Sequence, residues 1–312
     1  MPTRRMVLMA PLVQAAASSL KGADKKAADK KAEKAGTGKM TLCLHQNTSL
    51  GAGYRKSLEG WARAGIKQVE LVSSMLDEFL KTEDLAAARR VVTDLGLTPV
   101  SCSPGLADFW NPHPGRAGLM DTFKRRCEQY VTFGITKIYN PATTTMKITR
   151  DDYKAGLDCI RETGEIAKQF GMTASIEFVR ASTYMSNLAT CVKQIHEAAH
   201  PNVRVLFDFY HFWSGPSKFE DMDLLQQGDV AHVHFQDVPD MPRELLDNTT
   251  RLIPGDGVTP IAKILKKLAE KGYAGPLSVE LFLPEFQQGD PYEVATKIRE
   301  KTTRVMHDAH VA

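Results

Sequence analysis

The stretch VRVLFDFYH over residues 203–211 decides the fold, because an apolar run ends there in an acid, Asp208, with His211 three residues later. Three further segments repeat this design: SIEF (175–178) with Glu177, HVHFQD (232–237) with His234, and LSVELF (277–282) with Glu280. This pattern is typical of a parallel barrel in which each strand presents one side chain at a shared mouth. Three carboxylates and one imidazole converging there would suit one hard-to-borderline divalent cation.

Eight strand-like runs follow from residue 40 onward, and each is rich in Val, Ile, Leu or Phe, as buried parallel strands are. They are MTLCLH (40–45), QVELV (68–72), TPVSCS (98–103), TKIYN (136–140), TASIEF (173–178), VRVLFDF (203–209), VAHVHFQ (230–236) and PLSVEL (276–281). Amphipathic stretches between them, such as residues 83–96 and 261–272, end in glycine, which usually follows a helix.

We therefore predict an α/β protein with a single (β/α)8 TIM barrel over residues 40–312. A doubly wound open sheet is the alternative. An open sheet would spread four consecutive strand ends along a line, whereas a barrel gathers them around one point.

Residues 1–39 differ from the rest in composition. Arg4 and Arg5 precede the apolar run MVLMAPLVQAAA, which resembles a twin-arginine export signal. The stretch KGADKKAADKKAEKAGTGK (21–39) is of low complexity and is typical of a solvated tether. We expect a disordered or signal-like extension that directs export to the periplasm. An unstructured leader on a cytoplasmic protein is the alternative.

The net charge of the chain also changes at this boundary. Residues 1–39 hold nine Lys or Arg and three acids, a net charge of +6, so the chain's total of +3 leaves −3 for the remainder. A mildly acidic body binds a phosphate backbone poorly, which argues against nucleic-acid binding.

The sequence contains no run of 18 uninterrupted apolar residues, so we predict no membrane span. The five scattered cysteines predict buried thiols and no disulfide framework.

Each candidate site residue also has a purely structural interpretation. A strand-end glutamate such as Glu177 or Glu280 can simply pair with an arginine, although two at corresponding ends favour a shared site. Asp208 lies among aromatic residues, where an unpaired carboxylate would be costly to bury. His232 and His234 share one strand face, and the outer one, His234, is the better ligand, while His232 is expected in the core.

The long segment 237–259 follows the seventh strand and lies on the expected catalytic face. Arg251 precedes a Pro-Gly-Asp-Gly turn and could reach over the mouth, with Arg243 as its competitor. Asp237 could steady this loop or orient a histidine. Phe109 and Trp110, in the loop after the third strand, could line the pocket or could only pack against other apolar side chains.

Together these residues resemble the xylose-isomerase-like barrel superfamily, and within it the ketose 3-epimerase, hydroxypyruvate isomerase and inosose dehydratase group. The motif of that group has Glu on the fifth strand, Asp-x-x-His on the sixth, His on the seventh, Arg-x-x-Pro-Gly-x-Gly in the next loop and Glu on the eighth. The matching residues are Glu177, Asp208, His211, His234, Arg251 and Glu280. The resemblance covers the whole predicted barrel.

The resemblance implies that one divalent metal ion is held by Glu177, Asp208, His234 and Glu280, with Mn²⁺ expected and Mg²⁺, Co²⁺ or Zn²⁺ as alternatives. It implies that Glu177 and Glu280 are the catalytic acid and base, and that His211 and Arg251 contact a small carbohydrate substrate. The implied enzyme is an isomerase or epimerase of a keto-sugar or related polyol, acting through a metal-bound cis-enediolate. The formation of a homo-oligomer is left open.

Three other functions stay open. A dehydratase or lyase of the inosose-dehydratase type would share the first proton abstraction. A non-catalytic sugar-binding barrel would keep the metal but need no second base. A metal-dependent nuclease would need two or three ions, and Glu70 and Ser103 stand where barrel endonucleases of this superfamily have zinc-binding histidines. Two features depart from the ketose epimerases: Thr183 replaces a second substrate-contacting glutamate, and the seventh loop is longer.

Overall fold

The computed structural model describes residues 39–312, and these form a closed barrel of eight parallel strands in chain order. The strands are β1 Thr41–His45, β2 Gln68–Val72, β3 Thr98–Ser103, β4 Lys137–Pro141, β5 Thr173–Glu177, β6 Val203–Asp208, β7 Val230–His234 and β8 Pro276–Val279. Pairing of β1 with β8, from Thr41 beside Pro276 to Leu44 beside Val279, closes the barrel. The TIM-barrel prediction is thus confirmed, and the open-sheet alternative is excluded.

Ten α-helices of the described residues accompany the strands. They are α1 Gly53–Arg63, α2 Ser73–Phe79, α3 Leu85–Asp94, α4 Arg116–Val131, α5 Arg150–Gln169, α6 Leu188–Ala198, α7 Phe209–Ser214, α8 Ile261–Glu270, α9 Pro284–Gln287 and α10 Pro291–Asp308. Thr149 and Asp152 form a reciprocal capping box at the start of α5, which satisfies two backbone N–H groups. Gly171 and Gly272 follow α5 and α8 with φ of 66° and 84°, as the sequence predicts for helix ends.

Several strands end earlier than predicted, and β6 shows why. The side chain of Asp208 accepts a hydrogen bond from the backbone N–H of His211 and thereby caps helix α7, so the chain turns directly after Asp208. Asp208 is thus held where strand β6 meets helix α7. This geometry fixes Asp208 at the carboxyl end of the barrel.

Strand alternation divides the barrel into an apolar outer layer and a polar interior. Ile176, Phe207 and Val233 alternate with the site residues, are fully buried and belong to the main hydrophobic cluster. Inward positions instead place polar side chains together: Glu70 of β2 contacts His232 of β7 across the barrel. The apolar layer between strands and helices therefore holds the fold together, and the interior is free to carry chemistry.

The predicted leader and tether over residues 1–39 lie, except for Lys39, outside the described residues. The export prediction therefore stays a prediction. Within residues 39–312, no helix combines the length and apolar character needed to cross a membrane.

The buried Asp237 organises the long loop after β7. Its carboxylate accepts hydrogen bonds from the backbone N–H groups of Val238 at 2.8 Å, Gly255 at 3.0 Å, Gly257 at 2.9 Å and Thr259 at 2.9 Å. An added Cβ at Gly257 would lie 2.2 Å from a backbone oxygen, so the turn needs glycine there. The expectation that Asp237 steadies this loop is confirmed, and the loop in turn holds Arg251.

We predict that Asp237→Ala lowers the free energy of unfolding by roughly 2–4 kcal/mol, because several buried N–H groups lose a charged acceptor. Urea unfolding monitored by circular dichroism measures this change. Asp240→Ala is the matched control, since Asp240 lies in the same loop and is exposed; it should change stability by about 0.5 kcal/mol or less. Equal stability of the two variants would contradict the prediction.

Candidate metal centre

Four side chains from consecutive strand ends converge at the carboxyl end of the barrel. The Nδ1 atom of His234 lies 3.1 Å from Glu177 Oε1, 3.6 Å from Asp208 Oδ2 and 3.3 Å from Glu280 Oε2. All four side chains are buried, and one ligand atom from each lies within 4.8 Å of every other. The structure therefore brings together the four residues that the sequence proposed as metal ligands.

The donor set fits a divalent cation. Bonds of about 2.1 Å to nitrogen and oxygen place neighbouring donor atoms roughly 3–3.5 Å apart, close to the separations measured from His234 Nδ1. Three carboxylate oxygens and one imidazole nitrogen suit Mg²⁺, Mn²⁺ or Zn²⁺, and they do not distinguish among them. The arrangement thus predicts one divalent ion and leaves its identity open.

Arg251 reaches into the centre and contacts two of the four residues. Its Nη1 atom donates to Glu280 Oε2 at 2.7 Å and to Asp208 Oδ2 at 3.0 Å. The guanidinium also lies about 5 Å from the ring centroids of Tyr210 and Phe282, at 5.1 and 5.0 Å. Its competitor Arg243 is exposed and donates to a backbone oxygen of Gly215. Arg251 is therefore the arginine of the site, and it neutralises part of the carboxylate charge.

His211 lies beside Arg251 and presents a buried nitrogen. Arg251 Nη2 lies 3.2 Å from His211 Nε2, and because a guanidinium can only donate, Nε2 must accept. The ring proton is then on Nδ1, which is buried without a hydrogen-bond partner among the described residues. Burial lowers the pKa of His211 to about 4, so the ring is neutral near pH 7. His211 thus carries an N–H donor that is not used within the described residues.

The two glutamates have opposite electrostatic environments. Burial raises the pKa of Glu177 to about 8. Burial acts in the same direction on Glu280, but the charges of His234, His45 and Arg251 outweigh it and lower the pKa of Glu280 to about 2. A pair of carboxyl groups whose pKa values are shifted in opposite directions is characteristic of acid–base sites.

The sequence did not assign a role to several residues around the centre. Asn47 Nδ2 donates to Glu280 Oε1 at 3.2 Å, and Gln236 Nε2 donates to Asp208 Oδ2 at 2.6 Å. Each therefore fixes the orientation of one candidate ligand. Their only sequence signal was a position next to a strand end.

Tyr139 and His45 form a directed chain of hydrogen bonds beside the centre. The backbone N–H of Asn47 donates to His45 Nδ1 at 3.2 Å, which places the ring proton on Nε2. That nitrogen lies 2.9 Å from Tyr139 Oη, so the tyrosine oxygen accepts and its own proton is free to donate elsewhere. Burial keeps the pKa of Tyr139 well above its usual range, so this proton is retained. Tyr139 is thus a neutral O–H donor.

Two further expectations are settled by the packing. The expected core position of His232 is confirmed, since it is fully buried and its Nε2 lies 2.9 Å from Glu70 Oε2. Phe109 and Trp110 are 1% exposed, and Trp110 donates to a backbone oxygen of Asn140 at 2.8 Å. They pack in the hydrophobic cluster and do not form a pocket wall.

Comparison with known proteins agrees with this geometry. A family model described as a xylose isomerase-like TIM barrel matches residues 58–301. An inosose isomerase of Halalkalibacterium halodurans is 28% identical over 273 residues, which cover 86% of this chain and 96% of that protein. A 3-dehydroshikimate dehydratase of Pseudomonas putida is 25% identical over 246 residues, or 77% of this chain and 38% of that protein. A crystal structure of an IOLI protein with a bound zinc atom covers 86% of this chain and 99% of its own, with a TM-score of 0.81 and 24% identity, and thus shares the fold.

We predict that one divalent ion binds per barrel and that its affinity increases as the pH rises from 6 to 8. In the ion-free protein Glu177 has a pKa of about 8 and is protonated over most of this range, so ion binding must displace a proton. The dissociation constant should fall about tenfold per pH unit for each proton displaced. Calorimetric titration with Mg²⁺ or Mn²⁺ in buffers of different ionisation enthalpy counts these protons. An affinity that does not change with pH would contradict the prediction.

Proposed function

We propose that this chain, which belongs to the xylose isomerase-like TIM barrel family, is a metal-dependent isomerase or epimerase of a keto-sugar or keto-polyol. The observation that supports this most is the pair of glutamates, Glu177 and Glu280, which approach His234 Nδ1 from the non-adjacent strands β5 and β8. A site that only binds a sugar has no need of two such groups. The inosose isomerase relative acts on a substrate of the proposed class.

Glu177, Asp208, His234 and Glu280 would hold the ion. When bound, a divalent cation would polarise a carbonyl oxygen and make the neighbouring C–H acidic. Mn²⁺ is the ion that we propose, and the donor set accommodates Mg²⁺, Co²⁺ or Zn²⁺ as well.

We assign proton abstraction to Glu177. Arg251 donates to Glu280 at 2.7 Å and weakens it as a base, whereas Glu177 forms no ion pair with an arginine among the described residues. Return of the proton to the neighbouring carbon gives isomerisation. Epimerisation needs a proton on the opposite face of the carbon, and we assign its exchange to Glu280, which reaches the site from β8 while Glu177 reaches it from β5.

Three neutral or cationic donors can stabilise the enediolate that abstraction creates. They are the Tyr139 O–H, the His211 Nδ1–H and the Arg251 guanidinium, all of them buried. Donors that are already oriented in a buried site stabilise developing negative charge more than water does. For this reason we propose that His211, Arg251 and Tyr139 all contact the substrate. The sequence alone had suggested only His211 and Arg251.

Dehydration is the second candidate, and the 3-dehydroshikimate dehydratase relative is the observation that favours it. Both reactions begin with loss of the α proton. They differ in the next step, where loss of a β-hydroxyl would need a proton donor at that oxygen, a role open to Tyr139 or His211. The products distinguish the two, because dehydration yields an unsaturated ketone that absorbs in the ultraviolet.

We predict that Glu177→Gln lowers kcat by about 10²–10⁴-fold and removes deuterium exchange at the α carbon. Glu280→Gln should lower epimerisation by a similar factor while α-carbon exchange continues. A panel of ketoses and inososes incubated with Mg²⁺ in D₂O and followed by NMR measures both rates. Ion titration and circular dichroism of each variant check for loss of metal or fold.

The absence of deuterium from every substrate that the wild type turns over would remove proton abstraction from the proposal. Binding without exchange or turnover would favour a non-catalytic sugar-binding barrel. More than one ion per chain would favour the nuclease alternative.

We predict that Tyr139→Phe lowers kcat by about 10²-fold and changes KM little, because a donor to the developing oxyanion is lost. Tyr184→Phe is the matched control, since it also removes one buried hydroxyl, whose bond to Gln194 is 2.9 Å and lies in the α5–α6 region. Steady-state kinetics on the substrate found above measure both variants. Equal kcat in wild type and Tyr139→Phe would exclude this role.

A further inference from the structure

A fourth buried carboxylate lies inside the barrel, and the proposed reaction does not use it. Glu70 of β2 is 0% exposed. Its Oε2 atom lies 2.9 Å from His232 Nε2 and 3.3 Å from His234 Nε2, so it faces two imidazoles of β7. Strands β2 and β7 do not pair in the barrel, so this contact crosses the interior.

The two nitrogens of His234 therefore face different partners. Nδ1 faces the three carboxylates of the candidate metal centre, and Nε2 faces Glu70. A neutral imidazole carries a proton on one nitrogen only, and a metal ion binds the other. With Nδ1 given to an ion, the ring proton would be on Nε2, where the negative charge of Glu70 at 3.3 Å would stabilise it.

His232 keeps Glu70 in place. A carboxylate can only accept, so the His232 Nε2 that contacts it carries the ring proton. Among residues 39–312, neither His232 Nδ1 nor Glu70 Oε1 has a hydrogen-bond partner, and His234 Nε2 meets Glu70 at ion-pair distance without forming a hydrogen bond. The two side chains are thus fixed mainly through their contact with each other and through His234.

We propose that Glu70 is a positioning residue of the metal centre: its carboxylate, 3.3 Å from His234 Nε2, favours the ring proton on that nitrogen and so presents Nδ1 to the ion, while His232 holds Glu70 in that orientation. This inference rests on the proposed metal centre. Carboxylates that accept from a metal-binding histidine typically change metal affinity by about 10- to 100-fold. The costly burial of Glu70 therefore has a functional explanation.

The test is the affinity for the metal alone, measured without substrate. Glu70→Gln keeps the shape of the side chain and removes its charge, and we expect its dissociation constant for Mg²⁺ or Zn²⁺ to be about 10- to 100-fold higher than in the wild type. His232→Gln should weaken binding in the same direction by a smaller factor. Glu165→Gln is the matched control, because it removes the charge from another Glu–His pair, Glu165 with His200 at 2.9 Å on the surface of α5; its affinity should equal that of the wild type.

A second measurement reports the tautomer directly. With Zn²⁺ bound, ¹⁵N–¹H NMR of the histidine rings should show the proton of His234 on Nε2 in the wild type and a weaker or shifted signal in Glu70→Gln. If Glu70→Gln does not fold, Glu70→Asp keeps the charge, shortens the reach to His234 and should show the same weakening of metal binding.

The outcomes separate this inference from the proposed function. A wild type that binds no divalent ion would end the proposal of a metal centre. A wild type that binds tightly, together with unchanged affinity and an unchanged tautomer signal in the Glu70 and His232 variants, would overturn the role of Glu70 alone.

Discussion

The burial of negative charge at one end of the barrel is the constraint on which the rest of this structure depends. Glu70, Glu177, Asp208 and Glu280 are all buried, and removing a carboxylate from water costs several kcal/mol unless it is paired or hydrogen-bonded. Arg251 contacts two of them, and His234 lies close to all four. Arg251 and His234 offset part of this charge, and the divalent cation proposed for this site would offset more of it. The polar interior and the apolar outer layer both follow from this arrangement.

The sequence predicted those parts of the site that depend on local pattern. An apolar run that ends in a ligand-type residue predicts both a buried strand and the residue at its carboxyl end, which is why Asp208 and His234 were found. Arg251 was found because the Pro-Gly-Asp-Gly turn follows it. The contacts of Glu70 and Tyr139 could not be predicted, since they cross the barrel between strands that are far apart in the chain. Strand alternation predicts which face of the sheet a side chain occupies. The residue that it contacts across the barrel depends on how the strands close.

The hydroxyls inside the barrel show a second limit of pattern reasoning. Strand alternation places Ser175 on the face of Glu177 and Ser278 on that of Glu280, and both serines are buried. Neither hydroxyl has a hydrogen-bond partner among the described residues, and the same is true of Ser101. Small polar side chains there leave room beneath the carboxylates that large aliphatic residues would fill. The interior therefore favours polar occupants, and the stability of the fold comes from the helix-facing side of the strands.

Two loops of this chain depart from the ketose-epimerase pattern, and the structure shows what their side chains contact. Thr183, which replaces a glutamate of that pattern, donates its hydroxyl to the backbone oxygen of Met146 at 2.6 Å and is thus engaged within the protein. Arg180 of the same loop donates to backbone oxygens of Leu246 and Arg243, which ties it to the long loop after β7. Under the proposed function, recognition of the substrate beyond its reacting carbons is expected from the segment after β7, whose base is fixed by Asp237.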